Sequence, residues 1–365
     1  MAALYVVMHH SFLQVAESPA NKPNVLHLFD GFYYGRYAVD LFIVLSGFCL
    51  MLPVVKHAGQ LRGGALNFFK RRALRILPPY YASLVLSLLL VWTLIGQKTG
   101  THWDASLPVT WKSVWSHLFL IHDIVGEDYT VNNPMWSIAV EWRIYFLFPL
   151  LVFLWRRFGA AIMTVLGFLI AALLVVVLRV TLARTLTAEY IALFTLGMLA
   201  TTLAFSPMPR FERARRLPWG ALCSGLTIAT ICLTLMTILD YHKPLQIPMD
   251  MVIGTWALTL LVWVSRGNNW GHSFLSSSLL VWIGTFAYSV YLAHAPLIQL
   301  LWQYPFARLQ NEPLPMFLAL LLVGTPIMIG LSYLFFLAFE RPFLRRRALA
   351  RPEALVVKTA LEPAP

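Results

Sequence analysis

Apolar stretches of about twenty residues recur along nearly the whole chain, and that recurrence constrains the fold more than any single residue does. A helix rising 1.5 Å per residue needs about 20 apolar residues to cross the ~30 Å hydrocarbon core of a bilayer. Nine stretches are complete candidates, roughly residues 37–55, 77–95, 136–155, 160–179, 190–205, 219–239, 247–265, 279–302 and 316–339. A tenth, residues 1–15, covers only about 22 Å. The pattern predicts an all-α, polytopic membrane protein of about ten transmembrane helices, without internal repeats. Composition agrees. Hydrophobic residues make up 59% of the 365 and charged residues 12%, where soluble domains carry about 25% charged. Disorder, a disulfide scaffold and a cytosolic enzyme are thereby excluded. Cys49, Cys223 and Cys232 have no paired spacing and read as small hydrophobes.

The charge balance tests the topology. Lys and Arg number 28 against 16 Asp and Glu, a formal charge of +12. In a soluble protein such an excess would suggest nucleic acid. In a membrane protein basic residues collect in cytoplasmic loops. With the N-terminus inside, nineteen Lys and Arg fall in inner segments, eight in outer ones, and Arg143 lies within a span. This asymmetry predicts both termini in the cytoplasm and excludes nucleic acid as a partner. The division expected is a transmembrane domain over 1–342 and a cytoplasmic basic tail over 343–365, with Arg345, Arg346 and Arg347 as its anchor. Met1 opens directly into apolar sequence with no basic residue before it, which points to a misplaced start or a trimmed first helix.

Ionisable groups inside spans are costly and are functional candidates by default. They occur at His9 and His10, at Asp40, at Glu141 and Arg143, and at His294. Counted along the helices, His10 and Glu141 lie about 8 Å below the outer surface, His294 about 12 Å, and Asp40 about one turn. The expectation is one polar cluster in the outer half of the membrane. On the opposite side, Arg71, Arg72 and Arg75 follow one another at helical spacing, and guanidinium forks suit phosphate groups. His102, His117 and His122 lie in a long outer loop and form no zinc pattern, so no metal site is expected. Asp123, Glu127 and Asp128 read as its solvated edge. The loop itself, at roughly 40 residues, is long enough to help form an acceptor entrance.

In this order along the chain, the motifs resemble acyltransferase family 3, integral-membrane O-acyltransferases of bacterial surface polysaccharides and some secreted small molecules. The matching pieces are Ala2-Ala3-Leu4-Tyr5-Val6-Val7-Met8-His9-His10, Val39-Asp40-Leu41-Phe42-Ile43-Val44-Leu45-Ser46-Gly47-Phe48 and Arg72-Ala73-Leu74-Arg75. Trp136-Ser137-Ile138-Ala139-Val140-Glu141, Tyr145-Phe146-Leu147-Phe148-Pro149, Ser289-Val290-Tyr291-Leu292-Ala293-His294-Ala295-Pro296 and Glu340-Arg341-Pro342 complete the set. The family arginine eleven positions before the catalytic histidine would fall ahead of Met1. No hydrolase-like domain is expected between the last span and residue 365.

The resemblance implies a donor, acyl-CoA and usually acetyl-CoA, used as a substrate with no bound cofactor. Arg71, Arg72 and Arg75 would hold its phosphates. His10 would act as general base on an acceptor hydroxyl, since imidazole titrates near the operating pH. Glu141 would orient that histidine or contact the acceptor. Asp40, Ser137, Tyr145, Tyr291 and His294 would support the site, with Tyr291, the family arginine or a backbone N–H stabilising the oxyanion. The acceptor class implied is a glycan or a glycosylated small molecule, the location the bacterial cytoplasmic membrane, and homo-oligomerisation is left open. The opposing class is a secondary transporter, which also buries ionisable residues but carries paired, broken-helix repeats.

Overall fold

The structure, a computed structural model, describes residues 1–16, 24–178, 187–240 and 246–344. The tail beyond 344, with Arg345, Arg346 and Arg347, lies outside the described residues, as do Lys22, Arg179, Arg184 and Lys243. Among those residues every regular element is helical. All ten apolar stretches form helix: α1 (Ala2–Ala16), α2 (Tyr37–Lys56), α3 (Gly64–Leu90) with a π-turn continuation to Ile95, and, after a short α4 (Trp111–Leu118), α5 (Trp136–Phe158). Then follow α6 (Ala160–Leu178), α7 (Glu189–Phe205), the short α8 (Arg210–Arg215), α9 (Trp219–Asp240) and α10 (Gln246–Ser265). The last are α11 (Trp270–Leu275), α12 (Ser278–Thr285), α13 (Ala287–Gln303), and α14 (Pro313–Ala319) running through a π-turn into α15 (Thr325–Phe335).

Among the described residues, seven helices are long and apolar enough to cross a membrane. The bent pair α12 and α13 makes an eighth if the two are one broken span rather than a re-entrant turn, and α1 and α7 are shorter apolar helices. The protein is a multi-pass membrane protein. Lipid-facing surface is plain on α9, where only 11% of the most apolar window is buried and Ile228 and Met236 stand out from the bundle.

The packing centre is the α2–α7 pair. A Cβ built on Gly47 would lie 2.1 Å from the Phe194 carbonyl oxygen, and one on Gly197 would lie 1.9 Å from that of Val44. Only glycine permits this approach, so the two residues lock the helices backbone to backbone. Thr201 Oγ1 adds a 2.7 Å hydrogen bond to the Phe48 carbonyl.

One expectation about the ninth span is corrected. Residues 279–302 do not rise straight through the membrane, because α12 and α13 meet at 71° around Phe286. The count that places His294 about 12 Å from the outer end runs back from Trp302 within α13 (Ala287–Gln303), so the bend leaves it unchanged. Within α13, Pro296 has no N–H to give the Leu292 carbonyl four residues back. That carbonyl accepts instead from Ser83 Oγ at 2.9 Å and from Asn132 Nδ2 at 3.0 Å. The proline thus ties α13 to α3 and to the 96–135 loop beside His294.

Candidate active site

The ionisable residues expected to form one cluster form four separate groups. Equal depth is one coordinate only; it does not place two helices side by side.

The first group joins α1 and α13. His10 Nδ1 lies 2.8 Å from His294 Nε2, with the rings stacked at 4.9 Å between centroids. The contacts of His294 decide the proton positions. Its Nδ1 faces two carbonyl oxygens, Tyr291 at 2.7 Å and Val290 at 3.2 Å. Carbonyls only accept, so this Nδ1 carries the proton and Nε2 of the neutral ring is the acceptor. His10 therefore donates from Nδ1 and keeps its lone pair on Nε2, the arrangement of a general base held by an orienting partner. His9 turns away and donates from Nδ1 to the Phe32 carbonyl at 2.6 Å. A third imidazole, His102, stacks on His10 at 5.5 Å and accepts a 2.8 Å hydrogen bond from Asn133 Nδ2. The loop histidine set aside in the sequence is thus part of this group. Neither spacing nor hydropathy marks it; only the return of the loop over α1 does.

Glu141 lies elsewhere. It borders a cavity of about 360 Å³, together with Ser46, Arg72, Arg75, Tyr288 and Tyr291. The Tyr145 hydroxyl donates to Glu141, and Ser46 Oγ, 3.0 Å away, then donates to Tyr145. At the far wall the Ser137 and Tyr291 hydroxyls are 2.7 Å apart and share the Pro134 carbonyl. Glu340, also lining the cavity and 1% exposed, accepts from Ser289 at 2.6 Å. A second cavity of about 560 Å³ opens beyond the arginines, lined by Arg62, Lys70 and Arg71 among others. Leu50, Arg72 and Arg75 border both cavities, whereas Arg71 reaches only the second and donates to the Arg62 carbonyl. Tyr291 is the wall between the inner cavity and the histidines. It lines the cavity, and its ring centroid is 5.7 Å from that of His294.

Asp40 belongs to a third group. Buried completely, it adjoins Tyr190 and Asp250, while Arg36 approaches Asp250 at 3.9 Å and Glu189 at 4.0 Å. Arg36 also covers the Trp136 ring at 5.9 Å, one residue before Ser137. The fourth group is Arg143 with Asp123, a two-pronged ion pair that ties the 96–135 loop to α5. Asp123 is 1% exposed, so the solvated edge expected there is corrected: a buried carboxylate requires its cation. His117 and His122 of the same loop are buried and stacked at 3.9 Å. Burial, and for His117 also the neighbouring imidazole, pushes His117 down to about 3, and burial pushes His122 down to about 4.

Comparison with known proteins accords with this construction of helix bundle, basic cavity and membrane histidines. A family model described as "Acyltransferase domain" matches residues 1–337. The chain belongs to acyltransferase family 3. It is 26% identical over 334 residues to the "Putative peptidoglycan O-acetyltransferase YrhL" of Bacillus subtilis (strain 168), covering 84% of this chain and 50% of that one. It is 26% identical over 121 residues to "Acyltransferase MdmB" of Streptomyces mycarofaciens, covering 32% of this chain and 28% of that one. The chain therefore spans half or less of the length of these relatives. No solved structure matches.

Proposed function

We propose that the protein is an O-acyltransferase of the bacterial cytoplasmic membrane, with ten spans and both termini inside, moving an acyl group from cytoplasmic acyl-CoA to a glycan hydroxyl. The observation that carries this reading is the pair of adjoining cavities that share Arg72 and Arg75, the inner one bordered by Tyr291, whose ring centroid is 5.7 Å from that of His294. Phosphates of the donor bind in the basic outer chamber, where guanidinium forks match their geometry. The pantetheine arm passes Arg72 and Arg75 into the inner cavity, and the thioester reaches the wall of Ser137 and Tyr291. His10 Nε2 takes the proton of the acceptor hydroxyl, the oxygen attacks the thioester carbonyl, and the thiol of coenzyme A leaves. Tyr291 donates to the oxyanion by turning its one hydroxyl proton away from the Pro134 carbonyl. A glycan acceptor accords with the name of the Bacillus relative, and an acetyl group with the same name.

Inside-out vesicles supplied with radiolabelled acetyl-CoA and peptidoglycan fragments test the reading. Label is expected in the fragments, and its loss in His10→Ala vesicles. Proton-driven uptake of the fragments without acetyl-CoA, and with no label transferred, would instead identify a secondary transporter.

A further inference from the structure

Above His10 the 96–135 loop builds a pocket that the donor cavities do not include. It is bordered by His10, Gln14, His102, Ser106 and Asn133, with Trp103, Ala295 and Ile298 completing its lining. Its volume is about 10 Å³, the lower limit for holding one water and far below a sugar ring. Ser106 is completely buried, and its Oγ has no hydrogen-bond partner among the described residues. A buried hydroxyl without a partner is costly unless something is meant to meet it.

The pocket is a built feature and not a gap under a loose loop. Trp103 Nε1 donates to the Ile95 carbonyl at 2.9 Å. The Asp104 carboxylate accepts from the Thr99 and Gly100 N–H groups at 2.8 Å each. Gln299 of α13 accepts from Gln14 of α1 at 2.5 Å and from Thr101 of the loop at 3.2 Å. Three segments are thus pinned around a space the size of one oxygen.

We propose that this pocket is the seat of the acyl-accepting oxygen, and that water takes the seat when no acceptor hydroxyl does, giving the protein an acyl-CoA hydrolase activity. This rests on the acyltransferase reading above. His102, held by Asn133, and Ser106 position the oxygen, and His10 Nε2 receives its proton. In the hydrolytic turnover the water oxygen bonds to the thioester carbonyl carbon and the carbon–sulfur bond breaks. The proton held by His10 passes to the departing sulfur, so acyl-CoA and water become a carboxylic acid and free coenzyme A. No other reactant is needed.

The test uses the full chain in nanodiscs with acetyl-CoA in H₂¹⁸O and no acceptor, following thiol release and acetate mass. Wild type is expected to release thiol steadily, with one ¹⁸O in the acetate, and His10→Ala to fall at least 100-fold. Ser106→Val fills the seat and should reduce both hydrolysis and transfer to peptidoglycan fragments to background, with acetyl-CoA binding unchanged within twofold. Ser106→Ala removes one hydrogen bond and should lower both rates about tenfold; it decides the matter if the valine variant fails to bind donor. Wild-type rates in the Ser106 variants, or transfer without any hydrolysis in wild type, overturn the seat while leaving the acyltransferase reading intact. Failure of wild type to bind acetyl-CoA overturns that reading as well.

Discussion

The two polar regions on either side of Tyr291 differ in almost every physical respect. The two arginine-bordered cavities together offer hundreds of cubic ångströms, and Glu141 and Glu340 share the inner one with Arg72 and Arg75. The histidine region offers room for one oxygen, carries imidazoles and amides, and is cross-tied by short hydrogen bonds from three segments. On the proposed function the first holds a large charged donor, where precise placement matters little. The second is built to place one atom, where an ångström of slack is costly in rate. Substitutions should therefore act on KM on one side of Tyr291 and on kcat on the other.

The largest effect expected on the histidine side, after loss of the base itself, comes from its partner. His294→Ala should lower kcat about 100-fold with the KM for acetyl-CoA unchanged, because His10 loses the acceptor that fixes its tautomer. His294→Gln, whose amide oxygen can accept the same hydrogen bond, should restore much of it. Equal loss in both variants would contradict an orienting role. On the donor side, Arg72→Ala or Arg75→Ala should raise the KM for acetyl-CoA about 10- to 100-fold, the loss of a charge-assisted contact. Arg71→Ala, confined to the outer chamber, should change it less than about threefold. If all three weaken the donor alike, the division of the two cavities is wrong.

Smaller effects should appear in stability and not in turnover. Arg143→Met leaves the Asp123 carboxylate buried without its cation, and thermal unfolding should report a loss of about 3 kcal/mol. The stacked His117–His122 pair makes stability pH-dependent. Both rings titrate lower when folded, near 3 and 4, than the ordinary imidazole near 6.5. The unfolded chain therefore takes up protons first, and stability should fall as pH drops from about 6.5 toward 3. Asp128, which burial raises to about 6, opposes this over part of the window, but its shift is smaller than the two histidine shifts combined. His117→Phe should flatten the profile, as seen in unfolding midpoints across that range.

Much of this architecture was legible in the chain because its signals are local. Hydropathy located the apolar helices, since each lies in a continuous apolar run, although α1 and α7 fall short of a full span. His10, Arg72 and Arg75 stood out because charge within or beside an apolar run is rare. The rest depended on which helices adjoin. Nothing in the sequence separates Glu141 from His10, or sends Asp40 to Arg36 and Asp250, because periodicity gives a residue's face and depth but not its neighbour. Ser106, His102 and Asn133 were hidden for a different reason: loop residues have no period, and these reach His10 only through the ties at Trp103, Asp104 and Thr101. The bend at Phe286 likewise interrupts an apolar run that reads as continuous.

The central claim is that His10 is the base for transfer of an acyl group from acyl-CoA bound at Arg72 and Arg75. It is tested most directly by single-turnover transfer of label from acetyl-CoA to peptidoglycan fragments in His10→Ala, with donor affinity measured on the same preparation. The account predicts donor binding within about twofold of wild type and transfer lowered by 10² to 10⁴. Transfer at the wild-type rate, with the donor bound normally, would contradict it.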